Sequence, residues 1–143
     1  LKIFMMKNLL FLSFIILFTS CLYKNGPVFS FRLKSERIAN KWTYENYKIN
    51  NLDMTSSFNN STIEFTNDGY IYKESLLQDS TIVTIGKWEF DEKTSSILKM
   101  YLIDSTLTTW GEVWNILKLK ENEIWLESRL GNEIHELTLK PAP

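Results

Sequence analysis

The sequence predicts an all-β domain, an eight-stranded antiparallel up-and-down barrel preceded by a short N-terminal helix. Three observations carry this reading. From Trp42 onward apolar and polar side chains alternate with a period of two. Turn residues recur at intervals suited to hairpins. No connector is long enough to hold the helical crossover that parallel strands require. Closing the meander on itself removes the exposed edges that would otherwise pair with other chains. An eight-stranded barrel is just wide enough to be filled by side chains or to hold one small ligand.

Residues 22–28 contain the breaker pair Gly26-Pro27 and read as a tether. Residues 30–40 combine good helix formers with a cap at Ser30 or Ser35, and Leu33, Ile38 and Ala39 partly share a face, so one short helix is expected there. Strands are expected at 42–49, 61–65, 70–75, 81–90, 96–103, 112–119, 123–128 and 133–140. Asn67-Asp68-Gly69 supplies the positive-φ residues of a hairpin, 91–95 is a polar loop, and Glu121-Asn122 and Gly131-Asn132 close two more tight connections. The longest gap, 50–60, is polar and reads as a lid-like loop.

The alternation assigns faces. Ile82, Thr84, Gly86, Trp88 and Phe90 lie on one side of their strand, with Val83, Ile85, Lys87 and Glu89 on the other. Tyr70 and Tyr72 share a face opposite Ile71, and Trp114 and Ile116 oppose Val113, Asn115 and Leu117. The strand at 96–103 is apolar on both sides, with Ile97, Tyr101 and Ile103 against Leu98, Met100 and Leu102, as suits a strand covered on both. On this parity Tyr70, Tyr72, Trp88, Phe90, Tyr101 and Trp114 form one aromatic set. That set is the candidate ligand-contacting surface, and its competing role is to fill the barrel. Trp110, beside Gly111 in a connector, is the Trp expected at an exposed rim.

Ahead of the domain, Lys2 and Lys7 accompany an apolar run, 9–18, broken only by Ser13 and followed by Thr19, Ser20 and Cys21. This is the order of a secretory signal, and the run falls short of the ~20 apolar residues of a bilayer span. Residues 1–20 are therefore expected to be a signal peptide, with Met5 or Met6 the true start. Leu17-Phe18-Thr19-Ser20-Cys21 resembles a bacterial lipobox. That resemblance implies cleavage before Cys21, a diacylglycerol thioether on its thiol and acylation of the new amino terminus; several acyl chains anchor stably where one is marginal. Residues 21–29 are then a lipidated Cys and tether, and 30–143 the barrel domain. The residues after Cys21, Leu22 to Asn25, lack the acidic residues of a surface-export signal, so an outer-membrane lipoprotein facing the periplasm is expected.

Composition excludes more than it assigns. A 44% hydrophobic, 23% charged chain of 143 residues belongs to a folded protein. Sixteen Lys and Arg against seventeen Asp and Glu give −1, and without Lys2 and Lys7 fourteen face seventeen, or −3; neither charge favours a nucleic-acid partner. One Cys and one His offer neither an intrachain disulfide nor a Cys-based zinc site. His135 shares a face with Leu137 and Leu139, and a single His without a second ligand is more often structural. There is no Gly-x-Ser-x-Gly and no phosphate-cradling Gly-rich loop, and Glu121 and Glu123 sit in a solvated turn. No enzyme, cofactor or metal is expected.

The run Gly26-Pro27, Ser30, Arg32, Lys34-Ser35 and Arg37-Ile38-Ala39-Asn40-Lys41-Trp42 resembles the opening of the lipocalin-like lipoproteins of the Bacteroidetes. So do Asn51-Leu52-Asp53-Met54-Thr55, Ile63-Glu64-Phe65-Thr66-Asn67-Asp68-Gly69-Tyr70 and Gly86-Lys87-Trp88-Glu89-Phe90. A last match is Ile116-Leu117-Lys118-Leu119 followed by Glu123-Ile124-Trp125-Leu126. The resemblance implies a lipocalin-like barrel, a lipid anchor and a barrel floor plugged by Trp42; it implies no particular reaction. Asp79-Ser80-Thr81 and Asp104-Ser105-Thr106 resemble the Asp-Ser/Thr-x motif of periplasmic O-glycosylation in that group, which marks Ser80 and Ser105. Two functions follow as expectations. One is a membrane-anchored, non-enzymatic module that binds a small apolar or amphipathic ligand. The other is an envelope protein-interaction or inhibitor module with a side-chain-filled barrel.

Overall fold

The computed structural model describes residues 32–77, 80–103 and 109–143. The expected signal peptide, Cys21, the expected tether and Ser105 lie outside these residues. A five-residue helix, α1 (Lys34–Ile38), precedes nine strands: β1 (Lys41–Ile49), β2 (Leu52–Asp53), β3 (Ser61–Phe65), β4 (Tyr70–Leu77), β5 (Ser80–Phe90), β6 (Ile97–Ile103), β7 (Thr109–Lys120), β8 (Glu123–Leu130) and β9 (Glu133–Pro141). All pair antiparallel in chain order, and β1 also pairs with β9, so β1 and β3 to β9 close an eight-stranded barrel.

The ninth strand is local. Asn50 and Asn51 both have positive φ, 50° and 66°, and form a two-residue hairpin that folds β2 back onto the end of β1, Ile49 opposite Leu52. The helix is shorter than the 30–40 stretch and does not start on a serine: its first position is preceded by Leu33, whose N–H donates to Glu36 Oε2 at 3.1 Å. It ends where Ala39 turns extended and the chain enters β1.

Two bulges set which side chains face inward. The β1–β9 register shifts between Tyr44 and Asn46, so both Tyr44 and Tyr47 point into the barrel. The β7–β8 register shifts between Ile116 and Lys118, which puts Leu119 inside with Ile116. At the closed end α1 covers a floor in which Ile38, Trp42, Leu119, Ile124 and Leu139 are wholly buried. The Trp42 indole donates to Ile38 O at 2.8 Å and Arg37 Nη1 to Leu119 O at 3.1 Å, which ties the helix to two strands. Trp42 thus sits at the barrel floor.

The expected aromatic set does not share a face. Ile71 pairs with Gly86 and Trp88 with Met100, all inward, whereas Tyr70 pairs with Lys87, Tyr72 with Ile85 and Tyr101 with Lys87, all outward. Trp88, Phe90 and Trp114 face in; Tyr70, Tyr72 and Tyr101 face out. The reason is the hairpin at Asn67-Asp68-Gly69: with Gly69 at φ 86° and Thr66 bonded to Tyr70, the first inward residue of β4 is Ile71. The strand then places Ile71, Lys73 and Ser75 inside. Trp110 is likewise in β7 rather than in a connector, on the inward side opposite Leu102.

Candidate functional site

The inner wall changes character along the barrel. The closed half is apolar, with Trp42, Phe65, Trp88, Leu98 and Leu126 among its buried residues. Toward the open end, β1, β3, β4, β7 and β9 contribute Tyr44, Tyr47, Ser61, Lys73, Ser75, Glu112 and His135. At the centre of this polar set Lys73 Nζ donates to both Glu112 oxygens, at 2.7 and 2.9 Å. The Trp114 indole donates to Glu112 Oε2 at 3.0 Å, and the Trp110 indole also bonds this carboxylate. Burial pushes the Glu112 carboxyl up, but the Lys73 charge and hydrogen bonds and the two indole donors outweigh it, so the group lies below its ordinary value. Burial, helped by the charge of Glu112, raises the Tyr44 phenol far above its usual value. Tyr44 stays a neutral hydroxyl.

A second polar contact lies nearer the rim. Tyr47 OH and His135 Nδ1 are 2.8 Å apart, and His135 Nε2 lies 3.2 Å from Glu133 Oε2. The 50–60 segment closes over this wall. Within it a 3-10 turn, Thr55–Phe58, places the Phe58 ring 4.8 Å from that of Tyr44, stacked, and 4.9 Å from that of Tyr47, edge-on. Thr55 Oγ1 accepts the Tyr47 N–H at 2.9 Å while Asp53 Oδ1 accepts the Thr55 N–H at 2.8 Å, so the segment is held to β1.

The polar wall combines one ion pair with phenols, an indole donor and an imidazole. The charged pair satisfies itself, the hydroxyl bonded to an imidazole is the phenol of Tyr47, and no group of three metal-ligating side chains occurs among the described residues. What it offers is aromatic surface with a few fixed hydrogen-bonding atoms.

Of the six aromatic candidates only Trp114 reaches this set. Trp88 and Phe90 belong to the apolar half, where Trp88 stands edge-on to Phe65 at 5.8 Å and to Phe90 at 5.4 Å. Trp110 is 38% exposed at the open end. Tyr70 and Tyr101 help line a groove of about 470 Å³ on the outer surface, together with Val83, Ile85, Lys87, Ile103 and Thr109. Ser80 is exposed at the start of β5, while Asp79 before it lies outside the described residues. Lys73, Glu112, Tyr44 and Tyr47 were not among the sequence candidates, and His135 was weighed there and read as structural. Glu112 was open to detection, since it shares the parity of Trp114; Lys73 was hidden by the assignment of Tyr70 and Tyr72 to the inside.

The chain matches no known family profile and no curated protein. Solved structures do resemble it. A lipocalin-like protein from Bacteroides uniformis superposes with a TM-score of 0.60 at 12% identity, over 74% of this chain and 99% of that one. An uncharacterised protein from Bacteroides eggerthii does so with a TM-score of 0.56 at 9% identity, over 73% and 99%. At these identities the likeness is one of fold: the barrel is lipocalin-like, as the sequence motifs imply.

Proposed function

We propose that this protein is a lipid-anchored, non-enzymatic binding module of the bacterial cell envelope whose barrel mouth takes a small amphipathic molecule. One observation carries the binding reading. Lys73 and Glu112 lie on the inner wall yet keep 22% and 25% of their side-chain surface accessible, so solvent reaches the depth at which the polar wall meets the apolar half. A guest entering there meets Trp114, Trp110 and Tyr44 as contact surface and the ion pair as its orienting polar group. The anchor reading rests on the 1–21 segment: cleavage before Cys21, lipidation there, and an outer-membrane position with the barrel facing the periplasm.

The test compares solvent extracts of the purified full-length protein with those of a Lys73→Met, Glu112→Gln double variant, which removes the charges at nearly constant volume. The parent is expected to carry an amphiphile that the variant loses; identical extracts, or an empty parent with a filled interior, refute ligand binding in favour of a protein-interaction module. Labelled palmitate incorporation that survives Cys21→Ser refutes the anchor, and cleavage by protease added to intact cells refutes the periplasmic orientation.

A further inference from the structure

The outer groove is separate from the barrel mouth and independent of the function proposed for it. Val83 and Ile85 of β5, Ile103 of β6 and Val113 of β7 project outward and are 45 to 55% exposed, a density of apolar side chains that an exposed barrel wall does not otherwise need. The floor between β5 and β6 is backbone. Gly86 has no side chain, and a Cβ there would fall 2.1 Å from Tyr101 O, so the two strands press together beneath the groove. At one end stands Lys87, its Nζ 5.8 Å from the Tyr70 ring centroid, and no ion pair among the described residues engages it. Glu89, two positions along the same face, accepts the Tyr101 hydroxyl at 3.3 Å.

We infer that this groove binds the chain of a free long-chain fatty carboxylate, with the methylenes along Val83, Ile85 and Ile103 and the carboxylate at Lys87. Its volume of about 470 Å³ is within the ~300–1,000 Å³ range of small-molecule clefts. The charge complementarity is specific: one cation with no acidic partner among the described residues, at the end of an apolar trough, suits one anion at the end of an apolar chain. A second copy of the protein fits less well. A two-fold contact would set the trough against itself, hollow to hollow, and bring the two Lys87 side chains into the same interface.

The test uses the full-length lipoprotein in isolated cell envelopes, with a photoreactive palmitate analogue as probe and peptide mapping of the cross-links. Labelling is expected on the 83–87 and 101–103 segments. It should be competed by palmitate more effectively than by laurate, with affinity falling roughly fourfold per methylene removed until the groove is no longer filled. Lys87→Glu and Ile85→Asp, both on the outer surface, should reduce labelling at least fivefold while leaving the circular dichroism spectrum unchanged. Cross-links confined to inner-wall segments around Tyr44 or Trp114 overturn the proposal without touching the mouth-binding reading. So do labelling indifferent to both variants, labelling obtained only with a photoreactive phospholipid, and cross-links joining two protein chains through this face.

Discussion

Trp88 separates packing from ligand lining by magnitude. Its side chain is 7% exposed, stands edge-on to Phe65 and Phe90, and donates its indole N–H to Thr66 O at 3.0 Å. Trp88→Ala removes the transfer free energy of a large ring and leaves a cavity between two aromatic residues that the closed barrel holds in place, which corresponds to about 4 to 5 kcal/mol. The hydrogen bond adds little, because Thr66 O still accepts the Gly69 N–H at 3.2 Å and is not orphaned. Trp88→Phe keeps a ring in the site and loses the indole bond and part of the contact, or about 2 kcal/mol. The assay is urea unfolding of both variants beside the parent, reading the midpoint shift at constant slope. A cost near ~1 kcal/mol for Trp88→Ala, the size typical of a side chain without core packing, would refute the placement of Trp88 in a close-packed apolar half.

Gly86→Ala should cost about 3 kcal/mol or prevent folding, because the added Cβ would sit 2.1 Å from Tyr101 O and 2.9 Å from Leu102 Cα, backbone atoms that cannot step aside; a thermal melt matching the parent would refute this strand contact. Glu112 has a folded-state value below its ordinary 4.5, so its contribution to stability is present above that value and is lost as pH falls through the folded one; urea midpoints should drop on acidification below pH 4.5, and Glu112→Gln should flatten that slope, an unchanged slope refuting it. Phe58→Ala removes two ring contacts worth about 1 kcal/mol each. Amide exchange should then accelerate at Thr55, Ser57 and Tyr47 while Leu126 and Leu137 keep their protection; uniform loss of protection would mean the segment is part of the barrel's cooperative core rather than a cover over it.

Much of the barrel was legible because period-two alternation and turn chemistry are local. The 80–90 strand shows it best: Gly86, Trp88 and Phe90 are inward, Val83, Ile85, Lys87 and Glu89 outward, as the pattern gives them. Bulges are where that reasoning stops. Nothing in Tyr44-Glu45-Asn46-Tyr47 announces that the chain adds a residue and turns both tyrosines the same way, and the Ile116-Leu117-Lys118-Leu119 run is equally silent. The ends of β4 and β7 were cut short for a related reason. Leu76 and Thr109-Trp110 extend their strands through cross-strand pairing, Leu76 with Thr81, Thr109 with Ile103 and Trp110 with Leu102, which residue-by-residue strand preference does not report.

The site was harder to see than the fold, and the cause is a single choice of face. In Tyr70-Ile71-Tyr72-Lys73 two readings compete: aromatic residues inside with Lys73 in solvent, or Ile71 and Lys73 inside with the tyrosines out. Transfer costs favour the first when each residue is weighed alone, since an unpaired buried ammonium is expensive. The structure takes the second, because Lys73 is not alone: Glu112 reaches it from β7, thirty-nine positions away, with two indole donors completing the carboxylate's partners. No local pattern carries that pairing. A one-residue change of parity exchanges every side chain between the faces of a strand. In β4 it therefore replaces a wall lined with tyrosines by one that carries Lys73 inside and sets Tyr70 and Tyr72 outside, beside Lys87 and Ile85. The polar inner wall follows from that hairpin, which fixes Ile71 rather than Tyr70 as the first residue to turn inward.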